Sequence, residues 1–224
     1  MQPLLITGTD RGVGKTWVAR ALGRSLTAAG RRVVAIKPVD TGCSDATALL
    51  EDGALLAAAT GQAEPRAALH RFAALMAPAL AAEAEGEAID LDALILRIEA
   101  LGESADLVLL EGPGGLLSPM TWEWTVVDVA RALGASALVV GVDRLGVINH
   151  AQLTLSALEL AGVAVTGVVL TAPETPDAST GTNAAAIARL GGLTQVATVP
   201  RMADPDAAAA QLAEVVGWID AREG

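Results

Sequence analysis

The sequence predicts an α/β protein with a P-loop NTPase-like fold, built on a mainly parallel sheet with helices on both faces. Three observations lead there. Short apolar runs alternate with longer Ala-rich segments along the chain, the pattern of strands followed by helices. The strand-type runs show no strict apolar/polar alternation, as expected of strands covered on both faces. A glycine-rich loop, Gly8-Thr9-Asp10-Arg11-Gly12-Val13-Gly14-Lys15-Thr16, directly follows the first apolar run.

Residues 4–7 read as the first strand and residues 14–29 as the helix that follows, stopped by Gly30. Residues 32–37 form a second strand. The pair Lys37-Pro38 ends it in extended geometry, because a residue before proline is pushed out of the helical region. Residues 45–60 read as one helix closed by Gly61, and residues 78–84 and 91–101 as two more. A strand over residues 106–111 runs into the loop Gly112-Pro113-Gly114-Gly115. Then come a helix at 126–133, a strand at 135–142, a helix at 147–160 and a strand at 163–170. A helix at 183–190, a short strand at 195–199 and a helix at 207–218 complete the chain. There is no repeat of fixed period and no linker long enough to divide the chain, so residues 1–224 are expected to form a single domain. Residues 172–182 read as a surface excursion from it.

Composition excludes several classes of function. With 224 residues, 52% of them hydrophobic and 18% charged, the chain can bury a large core and is not disordered. Phe72, Trp17, Trp122, Trp124 and Trp218 are its aromatic residues, too few for a single-strand base-stacking platform. A formal net charge of −11 argues against a general nucleic-acid binder, although one nucleotide needs only local positive charge. Cys43 is the single cysteine, which rules out an internal disulfide and fits a reducing cytoplasm. The start Met1-Gln2-Pro3 lacks a basic leader, and no apolar stretch approaches the ~18 residues of a membrane span. The expectation is a cytoplasmic protein that binds neither membrane nor nucleic acid.

Ligands of open parallel sheets bind outside the carboxyl ends of the strands, here the loops after Thr7, Lys37, Leu110, Val142, Leu170 and Val199. In the first loop, glycines let consecutive amides approach a phosphate, and the helix N-terminus adds favourable partial charge. Lys15 can reach outer phosphates and the Thr16 hydroxyl can sit on magnesium. The spacing is unusual, because the first glycine lies at Gly8 and Thr9 occupies its ordinary slot. Lys37 ends a buried strand, where it either neutralises charge on a transferring phosphoryl group or is a surface lysine. Glu111, ending an apolar strand before Gly112–Gly115, is a natural metal ligand beside a phosphate loop. Glu51 and Asp52 both offer a carboxylate, or are simply an acidic helix face. The run Leu145-Gly146-Val147-Ile148-Asn149-His150 begins a helix whose amides can hold a carboxylate. Packing and capping explain His150 better than catalysis does. Cys43 has no metal-ligand companion in the sequence, and no nucleophile elbow is present.

Together these runs resemble the dethiobiotin synthetase family over nearly the whole chain. The resemblance is carried by Thr7 through Thr16, Lys37-Pro38-Val39 with Thr41-Gly42, and Met76-Ala77-Pro78. Glu111 through Gly115 and Leu145-Gly146 with Asn149-His150 and Leu153-Thr154 complete it. The phosphate loop with one extra residue is that family's own form. The resemblance implies an ATP- and magnesium-dependent ligase that joins carbon dioxide to 7,8-diaminononanoate and closes the ring of dethiobiotin. It implies a carbamate and a carbamic-phosphoric anhydride on the way. Gly12, Val13, Gly14, Lys15, Thr16 and Trp17 would hold the triphosphate, with Lys15 and Lys37 stabilising the transferred phosphoryl. Thr16, Asp52 and Glu111 would hold Mg2+, and Gly112, Pro113 and Gly114 would line the nucleotide site. Pro200, Arg201 and Met202 would lie near the base. Arg11 and Thr41 would meet the substrate. Gly146, Val147, Ile148 and Asn149 would receive its carboxylate from the neighbouring subunit, since the family is a homodimer with its site at the interface.

Three departures from the family pattern stand out. Arg11 stands where Thr or Gly is usual. Pro113 replaces an Ala in the Gly-rich loop and removes a backbone donor. Leu170-Thr171-Ala172-Pro173 lacks the Asn that often reads the adenine. A ParA/MinD-type switch ATPase is the alternative, but that family places a second lysine where this chain has Asp10. An amidotransferase-linked synthetase of cobalamin synthesis shares the loop, but would need a glutaminase domain for which the chain is too short.

Overall fold

The computed structural model describes residues 2–200 and 209–221. The first strand, β1 (Gln2–Gly8), leads through the glycine loop into helix α1 (Lys15–Ala28) and strand β2 (Val33–Ile36). A short strand β3 (Val39–Thr41), a 3-10 turn (Asp45–Leu50), helix α2 (Asp52–Thr60) and strand β4 (His70–Phe72) follow. Helices α3 (Pro78–Glu85) and α4 (Leu91–Gly102) precede β5 (Leu107–Glu111), α5 (Val126–Ala132), β6 (Ser136–Val142) and α6 (Val147–Leu160). The chain continues through β7 (Val165–Thr171), α7 (Asn183–Gly191) and β8 (Val196–Val199), and then a 3-10 turn (Ala209–Leu212) and α8 (Ala213–Asp220). Residues 207–208 of the expected last helix lie outside the described residues.

Six strands form a parallel sheet in the order β2-β5-β1-β6-β7-β8. Its strands bury both faces. Leu4 and Ile6 of β1, with Leu107 and Leu109 of β5, pack under α1, α2 and α8. Leu5, Val108 and Leu110 pack on the other face under α3 to α7. Successive strand side chains point to opposite faces, so two cores on one sheet require apolar residues at consecutive positions. Parallel strands joined by helices bring all six carboxyl ends to one edge. Register then sets neighbours: Ile36 pairs with Leu110, which brings Lys37 beside Glu111, and Ile6 pairs with Glu111 itself.

Besides the last helix, which opens as the 3-10 turn Ala209–Leu212 and is α-helical only from Ala213, the structure departs from the sequence expectation at two connected places. The expected helix over residues 45–60 breaks at Glu51, whose backbone is extended (φ −69°, ψ 150°). The Glu51 carboxylate accepts bonds from Arg71 Nε (2.7 Å) and Nη2 (2.8 Å) and from the Ser44 amide (3.1 Å). Arg71 lies on β4, which pairs with β3 in a small parallel sheet where the sequence pattern predicts no strand. Three-residue strands show no periodicity, and their pairing depends on residues about thirty positions apart. Beyond the break, Gly53 lies so close to residues 67–68 that a Cβ would fall 2.2 Å from the Ala68 nitrogen. This contact with backbone fixes where α2 begins.

Both features are open to measurement. Gly53→Ala should lower stability by about 1–3 kcal/mol, because backbone rather than a flexible side chain must move; an unchanged melting temperature would contradict the contact. The Glu51 carboxyl is held below its ordinary range by hydrogen bonds from Arg71, against the opposing effect of burial. A carboxyl depressed in the folded state adds stability above its unfolded pKa of ~4.3 and loses it as pH falls through the lower folded value. Arg71→Met should therefore cost about 1 kcal/mol in urea denaturation at neutral pH. The difference from wild type should shrink in acid; one equally large at pH 3 and pH 7 would show that the pair is not its source.

Candidate active site

The glycine loop is braced from below by neighbouring strands. The Thr9 amide donates to the Val140 carbonyl (2.8 Å), and the Thr171 hydroxyl donates to the Val13 carbonyl (3.0 Å). Gly14 caps α1 with φ +95°, in the left-handed region, and a Cβ there would meet the Thr171 methyl at 2.9 Å. Both facts demand glycine. The first turn of α1 carries no acidic side chain, so its amides keep their positive end open to an anion. The Arg11 amide donates to Asp10 Oδ1 (2.6 Å), and Lys15 Nζ folds back onto the Asp10 carbonyl (3.0 Å).

Charges converge beside this loop. Lys37, 4% exposed, donates from Nζ to Asp52 Oδ2 and to Glu111 Oε1, each at 2.7 Å. The Thr16 hydroxyl donates to the same Glu111 Oε1 (2.8 Å). Burial alone would lower the Lys37 pKa, but Glu111 and Asp52 together outweigh it and hold the ammonium above its ordinary range. Burial would raise the Asp52 carboxyl, and Lys37 overcomes this to keep it low. Glu111 is pushed up by burial, with Lys37 opposing. Lys15 is lowered to about 8 by burial and then by its neighbour Lys37. Glu111 Oε2 is buried with no hydrogen-bond partner among the described residues. An orphaned carboxylate oxygen beside a hydroxyl and a second carboxylate is an all-oxygen donor set of the kind magnesium takes.

These groups line a cavity of about 470 Å3. Its walls include Arg11, Gly12, Gly14, Thr16 and Trp17 from the loop side, and Lys37, Thr41, Asp52, Glu111, Pro113 and Gly114 opposite. Beyond Trp17 and Gly12 a second cavity of about 270 Å3 is lined by Val13, Thr171, Pro173 and Pro200. A larger groove of about 690 Å3 runs between Glu83, Glu87, Asp92 and Trp122. Its carboxylates repel phosphate, so chemistry rather than size selects the first two.

Most of the residues expected at the site are brought together, with clear exceptions. Gly112 does not line the main cavity; it packs under Val126, whose Cγ1 would lie 2.7 Å from an added Cβ. Gly146, Val147, Ile148 and Asn149 sit at the start of α6 and line neither cavity within this chain. Arg201 and Met202 lie outside the described residues. Of the two adjacent carboxylates, Asp52 faces Lys37 and Glu51 faces Arg71.

The fold also shows groups the sequence reading passed over. Asp40 and Arg20 line the main cavity; Asp40 stands beside Thr41 and Arg20 one helical turn after Thr16, and those spacings were the available signals. Buried Asp143 accepts bonds from the Gly181 amide (2.8 Å) and Asn183 Nδ2 (2.7 Å), while Asp177 Oδ2 accepts from the Leu145 amide (2.8 Å). The excursion over residues 172–182 therefore braces the entry to α6. Asp40, Cys43 and Glu51 offer ligand atoms within 4.8 Å of one another, companions that the sequence did not show. Arg71 already holds Glu51, and the Cys43 thiol is pushed up to about 11 by burial and the nearby acids, which disfavours a thiolate ligand.

Comparison with known proteins places this geometry in a family. A family model described as an AAA domain matches residues 2–209. An ATP-dependent dethiobiotin synthetase BioD from an Anaeromyxobacter species is 43% identical over 207 residues, 91% of this chain and 92% of that protein. The protein of the same name from Aquifex aeolicus is 36% identical over 201 residues, 90% of each chain. Among solved structures, the MinC:MinD cell division complex of Aquifex aeolicus matches with a TM-score of 0.62 at 15% identity, covering 100% of this chain and 97% of that one. A nucleotide-binding protein of Archaeoglobus fulgidus in complex with ADP gives 0.54 at 16% identity, covering 98% and 90%. At such identities the structures show the fold alone, that of a P-loop NTPase. No helix among the described residues is long and apolar enough to cross a membrane. By its matched sequence relatives, this chain belongs to the family of ATP-dependent dethiobiotin synthetases.

Proposed function

We propose that the chain, acting as one synthetase domain, carboxylates 7,8-diaminononanoate with carbon dioxide and closes it to dethiobiotin, splitting ATP to ADP and phosphate. The observation that carries this reading is the Lys37 cluster beside the phosphate loop, in a chain of this family. One amine of the substrate attacks carbon dioxide and loses a proton, giving a carbamate. A carbamate oxygen then attacks the γ-phosphorus, the bond to ADP breaks, and a carbamic-phosphoric anhydride forms. The second amine attacks the carbonyl carbon, loses a proton and expels phosphate, closing the cyclic urea.

The difficulty of the second step is charge, since an anionic carbamate must approach an anionic triphosphate. Lys15 and Lys37 supply fixed positive charge at that place, and the open amides of α1 supply more. Lys37 is held protonated by its carboxylates, so it can donate throughout the transfer. Thr16, Asp52 and Glu111 would hold Mg2+, which when bound adds charge neutralisation on the phosphates. Thr41 and Arg11, on the cavity wall, would meet the diamine end. Trp17 and Pro200 border the cavity that suits ribose and base. The α6 start, at Gly146–Asn149, lies outside this chain's own crevice; it would serve the site of a second copy in a homodimer by receiving the substrate carboxylate. A cytoplasmic setting fits the unpaired Cys43.

Two experiments test the proposal. Phosphate release from magnesium-ATP should require both bicarbonate and 7,8-diaminononanoate, and release independent of the diamine would favour a switch ATPase instead. Lys37→Ala should reduce turnover by roughly 100-fold or more while nucleotide affinity changes only a few-fold. Because Lys37→Ala removes buried volume as well as the charge opposite Glu111, the volume-keeping Lys37→Met and a circular-dichroism melt should accompany it. A folded variant with normal turnover at saturating nucleotide would remove Lys37 from the chemistry.

A further inference from the structure

Arg20 lies on α1 one turn beyond Thr16. Helical side chains lean toward the helix N-terminus, so its guanidinium covers the turn at Thr16 and Trp17. It lines the main cavity together with Lys15, Asp52 and Leu55, and does not line the cavity on the Pro200 side. Its Nε is buried, with no hydrogen-bond partner among the described residues. Of the other three cations of that wall, Lys15 is occupied by the Asp10 carbonyl and Lys37 by Asp52 and Glu111, while Arg11 stands exposed. Asp52, on the same wall, is thus taken up by Lys37.

A guanidinium remains charged at any ordinary pH, and a buried donor without an acceptor is costly. Such a group is stabilised when a ligand brings acceptors to it. Its planar fork matches the paired oxygens of a phosphate better than a point charge does. Its placement on the Lys15 side of Trp17, away from Pro200 and Pro173, selects the outer part of a nucleotide rather than base or ribose.

We propose that Arg20 is a phosphate-binding residue of this site, its guanidinium taking oxygens of the outer phosphates of a nucleoside triphosphate. The proposal rests on the reading of the cavity as an ATP site. Isothermal titration of wild type, Arg20→Ala and Arg20→Lys with magnesium-AMP-PNP, ADP and AMP separates the two. Arg20→Ala should weaken AMP-PNP by about tenfold or more and AMP by less than about twofold, with Arg20→Lys in between. Equal affinity of wild type and Arg20→Ala for AMP-PNP overturns the role of Arg20 alone. An equal loss for AMP and AMP-PNP also overturns it, since the outer phosphates would then not be what Arg20 holds. Failure of the wild-type protein to bind AMP-PNP overturns the ATP reading and the role of Arg20 with it. Arg20 is only partly buried, so both variants should fold, and a thermal melt checks that they do.

Discussion

Lys37 is buried to 4% exposure, and an ammonium there is tolerable only because two carboxylates meet it. Those partners come from different parts of the chain: Glu111 ends β5 and Asp52 opens α2, while Thr16 at the start of α1 joins through Glu111. The need to satisfy one buried charge thus fixes the mutual placement of four elements at the sheet edge. Parallel register does part of this work, since the Ile36–Leu110 pairing sets Lys37 and Glu111 side by side. Replacing a buried ion pair with apolar residues is often neutral or stabilising, so stability alone is a weak reason to keep this cluster. Charge held ready for an anionic ligand is the better physical reason.

The break at Glu51 belongs to the same construction. A continuous helix over residues 45–60 would place Glu51 and Asp52 about 100° apart on one surface, with neither committed to the crevice. The extended residue separates them. Glu51 turns to Arg71 on β4, and Asp52 starts a helix whose position is set by the approach of Gly53 to residues 67–68. The β3–β4 sheet is therefore more than a connector. It anchors Arg71, carries Asp40 and Thr41 on the strand that leaves Lys37-Pro38, and holds Glu51 away from Lys37.

What could be read from the sequence follows from the range of the interactions. The phosphate loop, Lys37 and Glu111 were legible because each stands at a strand end beside local punctuation, either glycines or a proline. The order of the six main-sheet strands and of most helices was legible for the same reason, with boundaries moved by only a few residues, whereas β3, β4 and the break at Glu51 were not. The preference for Asp52 over Glu51 was not legible from the residues themselves, because adjacent carboxylates look alike until Arg71, twenty positions on, claims one. The link from Asp143 to Asn183 spans forty positions and leaves no local pattern. Arg20 was overlooked because an arginine on an amphipathic helix looks like a solvated residue. Its place in the crevice appears only when α2 is packed against α1.

Fold likeness and site chemistry point in different directions, and the site decides. The MinD complex shares the sheet and loop architecture along nearly its whole length, yet at 15% identity that likeness carries no function. The alternative switch reading depends on a second lysine at the position of Asp10. In this chain the Asp10 side chain accepts the Arg11 amide and its carbonyl accepts Lys15. A carboxylate there places negative charge where that switch family carries a lysine. The cation supply comes instead from within the chain, from Lys15 in the loop and from Lys37 across the crevice that Thr41 and Glu111 also line. A half-open crevice that gathers its charges from within one chain fits the proposed ligase, which must hold a second substrate beside the phosphates, better than it fits a switch.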